Sequence, residues 1–157
     1  MWNKEKSVLL TQAIVRICYV LLGAAVIALP VLFFYFGKSE AFFFEFGKAV
    51  IIPFYAVVPA GYIALICIDK LLINIRNEKI FDNKNVKLLR IISWSCFYAA
   101  LVGVISYTVI AVIYNPRLFA SFIILAAGEA FMGLIVRVVK NVFEAAIKLK
   151  DENDLTI

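Results

Sequence analysis

Four long stretches of this 157-residue chain carry no charge or almost none. Ile17–Phe36 and Ala49–Ile68 are each 20 residues long, and Ile91–Pro116 is 26. Leu118–Val136 is a run of 19 interrupted only by Glu129. A helix needs about 20 apolar residues to cross about 30 Å of hydrocarbon. It is also the natural spanning element, because each backbone N–H and C=O finds its partner within the segment. The pattern predicts an all-α, polytopic membrane protein with four transmembrane helices in an antiparallel bundle. The helices are expected over about residues 8–36, 49–70, 83–115 and 118–149, as one membrane domain. A cytoplasmic loop, 71–82, and an acidic tail, 150–157, complete the chain.

Composition argues against the soluble alternative. Apolar residues make up 64% of the chain and charged residues 17%, against about 45–50% and about 25% in soluble domains. A soluble protein this small has too much surface to hide so many apolar side chains. Val26 and Ala28 mimic a signal-peptide cleavage site. The apolar run continues past them through Leu29, Val31, Leu32, Phe33 and Phe34, so the first helix is expected to be retained.

Basic residues predict the orientation. Thirteen of the sixteen Lys and Arg residues fall before the first run, between the second and third, or after the fourth. Only Lys38, Lys48 and Arg117 lie in the other two connections. Cytoplasmic flanks carry the Lys/Arg excess, so both termini are expected inside. The third connection, Asn115-Pro116-Arg117, reads as a tight outer turn, with Pro116 helping to stop the third helix. The first outer connection, Gly37–Lys48, holds Phe42, Phe43, Phe44 and Phe46. It reads as a segment lying at headgroup level, or more sharply as a docking surface for an apolar peptide or lipid.

Small residues recur at helical spacing: Ala24 and Ala28; Ala56, Ala60 and Ala64; Ala99 and Gly103; Ala126 and Ala130. Such stripes let helix backbones approach closely in lipid and predict a compact bundle. Pro30, Pro53 and Pro59 are expected to bend the first two helices. Cys18, Cys67 and Cys96 have no metal-type spacing and read as small packing residues. The chain has no His, which removes the commonest general base and metal ligand.

Patterned sequence concentrates on the predicted inner side. Asp82 is placed to cap the third helix, with Phe81 and Val86 as a hydrophobic staple. Lys84, Lys87 and Arg90 follow, and suit anionic headgroups. The fourth helix is expected to continue as an amphipathic segment, with Val138, Val139, Val142, Phe143, Ala146 and Leu149 on its apolar face. The chain then ends Asp151-Glu152-Asn153-Asp154-Leu155-Thr156-Ile157, an acidic patch that a plain membrane anchor does not require.

The stretch Phe-Asp-Asn-Lys-Asn-Val-Lys-Leu-Leu-Arg, Phe81 to Arg90, resembles the loop signature of a bacterial family of small four-helix membrane proteins, domain of unknown function 2975. The ending Glu152 to Ile157 is similar to that family's terminal signature. The resemblance spans nearly the whole chain, departing at Asn77 and Glu78, where many relatives have Gly. The family has no established activity. Its members often stand beside a small Cro-like helix-turn-helix regulator, which implies a regulatory pairing by association. On that basis Phe81, Asp82, Asn85, Leu88 and Arg90, with Glu152, Asn153, Asp154, Leu155, Thr156 and Ile157, are candidate contacts on an inner docking surface.

Glu129 is the one ionisable residue deep in a predicted helix, about 12–16 Å from either end at 1.5 Å per residue. An ionised carboxylate there is costly, so it protonates or finds a partner. Candidate partners are Tyr107 on the third helix and Tyr55 or Tyr62 on the second. The group is either a functional site or packing glue between helices. There is no paired intramembrane carboxylate, no phosphate-binding Gly loop and no nucleophile beside a base, so no enzyme is expected.

The leading expectation is a non-enzymatic regulatory or sensing protein of the bacterial cytoplasmic membrane, partnered by the lipid bilayer and a helix-turn-helix regulator. It needs no cofactor or metal, and no direct nucleic-acid binding is expected. The alternative is a small transporter or immunity-type protein acting on an apolar molecule or membrane-active peptide. With only four helices, that reading requires a homodimer.

Overall fold

The computed structural model describes residues 4–36, 41–113 and 120–154. These residues form four helices: α1 (Lys4–Phe36), α2 (Ala41–Arg76), α3 (Asn83–Ile113) and α4 (Ala120–Asp154). No strand occurs among the described residues. All four are long and apolar enough to cross a membrane, and the chain is a multi-pass membrane protein. Large apolar side chains such as Val20, Ile27, Val112 and Ile124 point outward, as lipid permits and water does not.

The helices are longer than the uncharged runs that mark them. α2 starts at Ala41, so the Phe-rich segment expected to lie as an outer loop forms the first turns of a helix. At its other end α2 runs on to Arg76, because Leu71, Leu72 and Ile75 prolong its packed side beyond Asp69. The loop expected over 71–82 shrinks to 77–82. Likewise α4 stays helical through Asp154, so the acidic end begins as helix rather than as a separate tail. Pro30, Pro53 and Pro59 all lie inside continuous helices. The Asn115-Pro116-Arg117 turn lies outside the described residues.

Neighbouring helices run antiparallel, and each seam carries its own polar tie. Gln12 on α1 donates to Asp69 on α2 at 3.3 Å, and further along Tyr55 donates to the Val26 carbonyl. Across α2 and α3, Asn74 meets Asn85 and Tyr98 donates to the Ala56 carbonyl at 3.2 Å. Across α3 and α4, Ser93 donates to the Gly133 carbonyl at 2.9 Å in a buried contact. Rising numbers on one helix meet falling numbers on the next throughout. Both described ends of the chain therefore lie at the same end of the array as the α2–α3 turn.

The α3–α4 seam is the most extensive, followed by α2–α3 and then α1–α2. Among the described residues no other pair of helices is in contact. The four helices form a row in chain order, with α1 and α4 at its open edges. The small-residue stripes explain the tight seam. A Cβ on Gly103 would stand 3.1 Å from the Ala126 Cβ, and one on Gly133 would stand 3.2 Å from the Cys96 Cβ. Absence of a side chain at both positions lets α3 and α4 close on each other, which is the main source of helix attraction in lipid. Ala99, Ala100 and Ala126 are buried on this seam or beside it.

Candidate functional site

The α2–α3 turn is the most elaborately held part of the described chain. α2 ends in a Schellman motif: the Lys79 amide donates to the Asn74 carbonyl at 2.9 Å, and the Glu78 amide to the Ile75 carbonyl at 3.3 Å. This geometry places its C′ residue in the left-handed region, where Gly is preferred. Glu78 occupies that position with φ 59°. The turn thus closes with a residue other than Gly at this position. On the far side, the Asp82 carboxylate accepts from the Lys84 amide at 2.9 Å, the N-cap expected of it.

Between these two helix ends sits Asn85, the one side chain among the described residues with no exposed surface. Its amide nitrogen donates to the carbonyls of Lys79 and Ile80 at 2.7 and 2.8 Å. Its oxygen accepts from the Asn74 amide at 2.7 Å. One side chain therefore joins the end of α2, the turn and the start of α3. Burial of an amide is tolerated because its donors and acceptor are all engaged. Val86, Leu89 and Ile92 are buried in the same first turns of α3 and give the turn an apolar footing.

The turn is also tied to α4. The Phe81 ring faces Phe143, with centroids 6.4 Å apart. Arg90 reaches Glu144 at 3.5 Å, and Lys140 meets the other oxygen of Glu144 at 3.1 Å. Phe81, expected as the staple over Val86, also has a ring contact on α4, with Phe143. Beyond Phe143, α4 continues for about 11 more residues to Asp154, roughly 16 Å of helix. Asp151, Glu152 and Asn153 are exposed on that extension.

The expected docking residues thus divide by position. Phe81 and Arg90 are exposed, Asp82 and Leu88 partly so, and all belong to the turn or the start of α3. Asn85 lies beneath them and shapes the turn from inside. Glu152 and Asn153 lie on the α4 extension, and Asp154 is its last described residue. Leu155, Thr156 and Ile157 lie outside the described residues. Sequence places Phe143 and Glu144 only on the apolar and polar sides of the fourth helix and passes over Asn74, although all three hold the site. An amide at position 74, flanked by Ile73 and Ile75, was the available signal for Asn74.

The intramembrane tyrosines and Glu129 are not one cluster. Tyr62 faces α1, its ring 6.2 Å from Tyr19 and its hydroxyl 3.2 Å from where a Cβ on Gly23 would stand. Tyr55 likewise bonds to α1. Both tyrosines are thus engaged with α1, and the backbones of α2 and α4 do not approach each other closely among the described residues. Glu129 sits between Ala126 and Gly133 on the side of α4 that meets α3, within electrostatic reach of Cys96. Neither Glu129 nor Tyr107 makes a side-chain hydrogen bond or ion pair among the described residues. The three cysteines are free thiols, Cys67 buried and the others half-buried. No group of three metal-ligating side chains occurs among the described residues.

Comparison with known proteins gives one match. The family described as protein of unknown function (DUF2975) matches residues 13–157. No curated protein and no solved structure matches.

Proposed function

The chain belongs to the DUF2975 family, and from that premise we propose that it is a non-enzymatic regulatory protein of the bacterial cytoplasmic membrane. It works by holding a soluble partner at the end of the array that carries the α2–α3 turn. The partner is a small helix-turn-helix regulator, and the mechanism is sequestration: a regulator held at the membrane is kept from its DNA. The observation that carries this reading is the junction of the turn with α4 through Phe81–Phe143 and Arg90–Glu144. Two segments distant in sequence thereby make one surface, with the acidic α4 extension projecting beyond it. The turn is preorganised by Asn85, so little ordering cost remains for binding. The Lys/Arg excess at this end supports its placement in the cytoplasm.

The test uses the full chain in lipid nanodiscs and the regulator encoded beside it. Binding is measured to the intact protein, to a chain ending at Lys150, and to a Phe81→Ala/Arg90→Ala variant. Both altered forms are expected to lose affinity at least tenfold. Equal binding by all three would remove this surface from the mechanism. Thiol-reagent labelling of a cysteine added after Ile157 checks sidedness, and labelling from outside the cell would overturn the reading.

A second reading, a small transporter or immunity-type protein, draws on Glu129, a mid-helix carboxyl with no hydrogen-bonding partner among the described residues. It expects proton-linked efflux from liposomes that Glu129→Gln abolishes while leaving the fold intact.

A further inference from the structure

We propose that the α2–α3 seam holds an anionic phospholipid, its phosphate gripped by Lys70, Lys84 and Lys87. These three side chains line a groove of about 350 Å³, together with Ile73, Asn74 and Leu88. Two helices contribute, so folding brings to one groove the aliphatic stems of lysines that are apart in sequence.

Their charges are free to act. None of the three makes an ion pair among the described residues, whereas Arg90 and Lys140 nearby are engaged by Glu144. The carboxylates closest in sequence are already occupied. Asp69 accepts from Gln12 on the α1 side, and Asp82 caps α3. A tethered set of uncompensated ammonium groups favours a multiply bonded anion. The Asn74–Asn85 bond fixes the two helix ends that carry the lysines.

The groove's depth favours a lipid over a soluble anion. Lys70 follows the uncharged run of α2 almost at once, and Lys84 and Lys87 precede that of α3, which begins at Ile91. At 1.5 Å per residue, the three ammonium stems start within about 10 Å of the hydrocarbon edge, which is headgroup depth. Trp94, 63% exposed, lies two helical turns along α3 from Lys87 on the same face, the level where indoles anchor at the interface. On α2, Ile66 and Ile63 are exposed one and two turns along from Lys70. The seam therefore offers cations at the headgroup and an apolar track for an acyl chain directly beyond them. Such a site depends neither on which side of the membrane this end faces nor on a protein partner.

The experiment is native mass spectrometry of the full-length protein, titrated with phosphatidylglycerol or phosphatidylcholine, with inorganic phosphate as a competitor. The wild type is expected to retain one phosphatidylglycerol in preference to phosphatidylcholine. Each Lys→Gln change in the groove weakens that retention roughly five-fold, from about 1 kcal/mol per lysine. Lys6→Gln/Lys148→Gln/Lys150→Gln removes the same charge elsewhere and should change it less than about two-fold. The Lys→Arg triple variant should keep binding, which separates lost recognition from lost folding. Equal loss in the control variant, equal retention of phosphatidylcholine, or displacement by millimolar inorganic phosphate would each overturn the lipid site.

Discussion

Asn85 shows how much one amide can organise. Its three hydrogen bonds join a helix end, a turn and a helix start in a space closed to water. Replacing it with Ala leaves two carbonyls and the Asn74 amide without that partner, and each unsatisfied buried group costs about 1–3 kcal/mol. Asn85→Ala is expected to destabilise the protein by roughly 2–4 kcal/mol on that scale, read as a lowered Tm in detergent. Unchanged melting would mean that water replaces the network. Glu78 makes the opposite prediction. Relief of left-handed strain, about 1–2 kcal/mol, exceeds the extra chain entropy of Gly, about 0.4–1 kcal/mol. Glu78→Gly should therefore stabilise the protein by roughly 0.5–1 kcal/mol, while the β-branched Glu78→Val should destabilise it. Both are measured by the same thermal unfolding. Sequence located the cap at Asp82 because capping is local chemistry. It could not place Asn85 inside, because burial there depends on α2 ending alongside.

Among the helices, α2 and α3 each have two packed neighbours along described seams, and α4 is held most closely, to α3. The closeness depends on Gly103 and Gly133, whose missing side chains admit Ala126 and Cys96. Gly103→Leu is expected to cost about 1–3 kcal/mol by overpacking. Gly128 is on the same helix as Gly133 but has nothing within 4 Å of a built Cβ. Gly128→Ala should be neutral or stabilising by up to about 1 kcal/mol from helix propensity. Comparable losses at Gly103 and Gly128, measured by unfolding in detergent, would contradict the seam. At this scale the small-residue periodicity was legible, since contact stripes follow the 3.6-residue repeat. The true helix lengths were not. Charge marks where lipid ends, but a helix continues into the headgroup region wherever packing supports it, as α2 does to Arg76.

As a whole, the molecule is a row of helices in which α1 touches only α2 and α4 touches only α3 among the described residues. This order is checked by cysteine cross-linking in a background with Cys18, Cys67 and Cys96 replaced by Ala. Gly103→Cys/Ala126→Cys should oxidise to a disulfide within one chain, given their near-contact Cβ positions. Ala24→Cys/Gly128→Cys should not, because α1 and α4 are apart. Efficient intramolecular bonding of that second pair would require a closed bundle instead of a row.

Membrane spanning, helix number and membership of the family are all readable in the order of residues, because solvent preference depends on long local runs and a motif is local by nature. The meeting of Phe81 with Phe143, of Asn74 with Asn85, and of three lysines around one groove is not readable there. Each joins residues whose distance in space is set by how one helix packs against the next. Packing in lipid is governed by shape, which no single stretch of the chain contains.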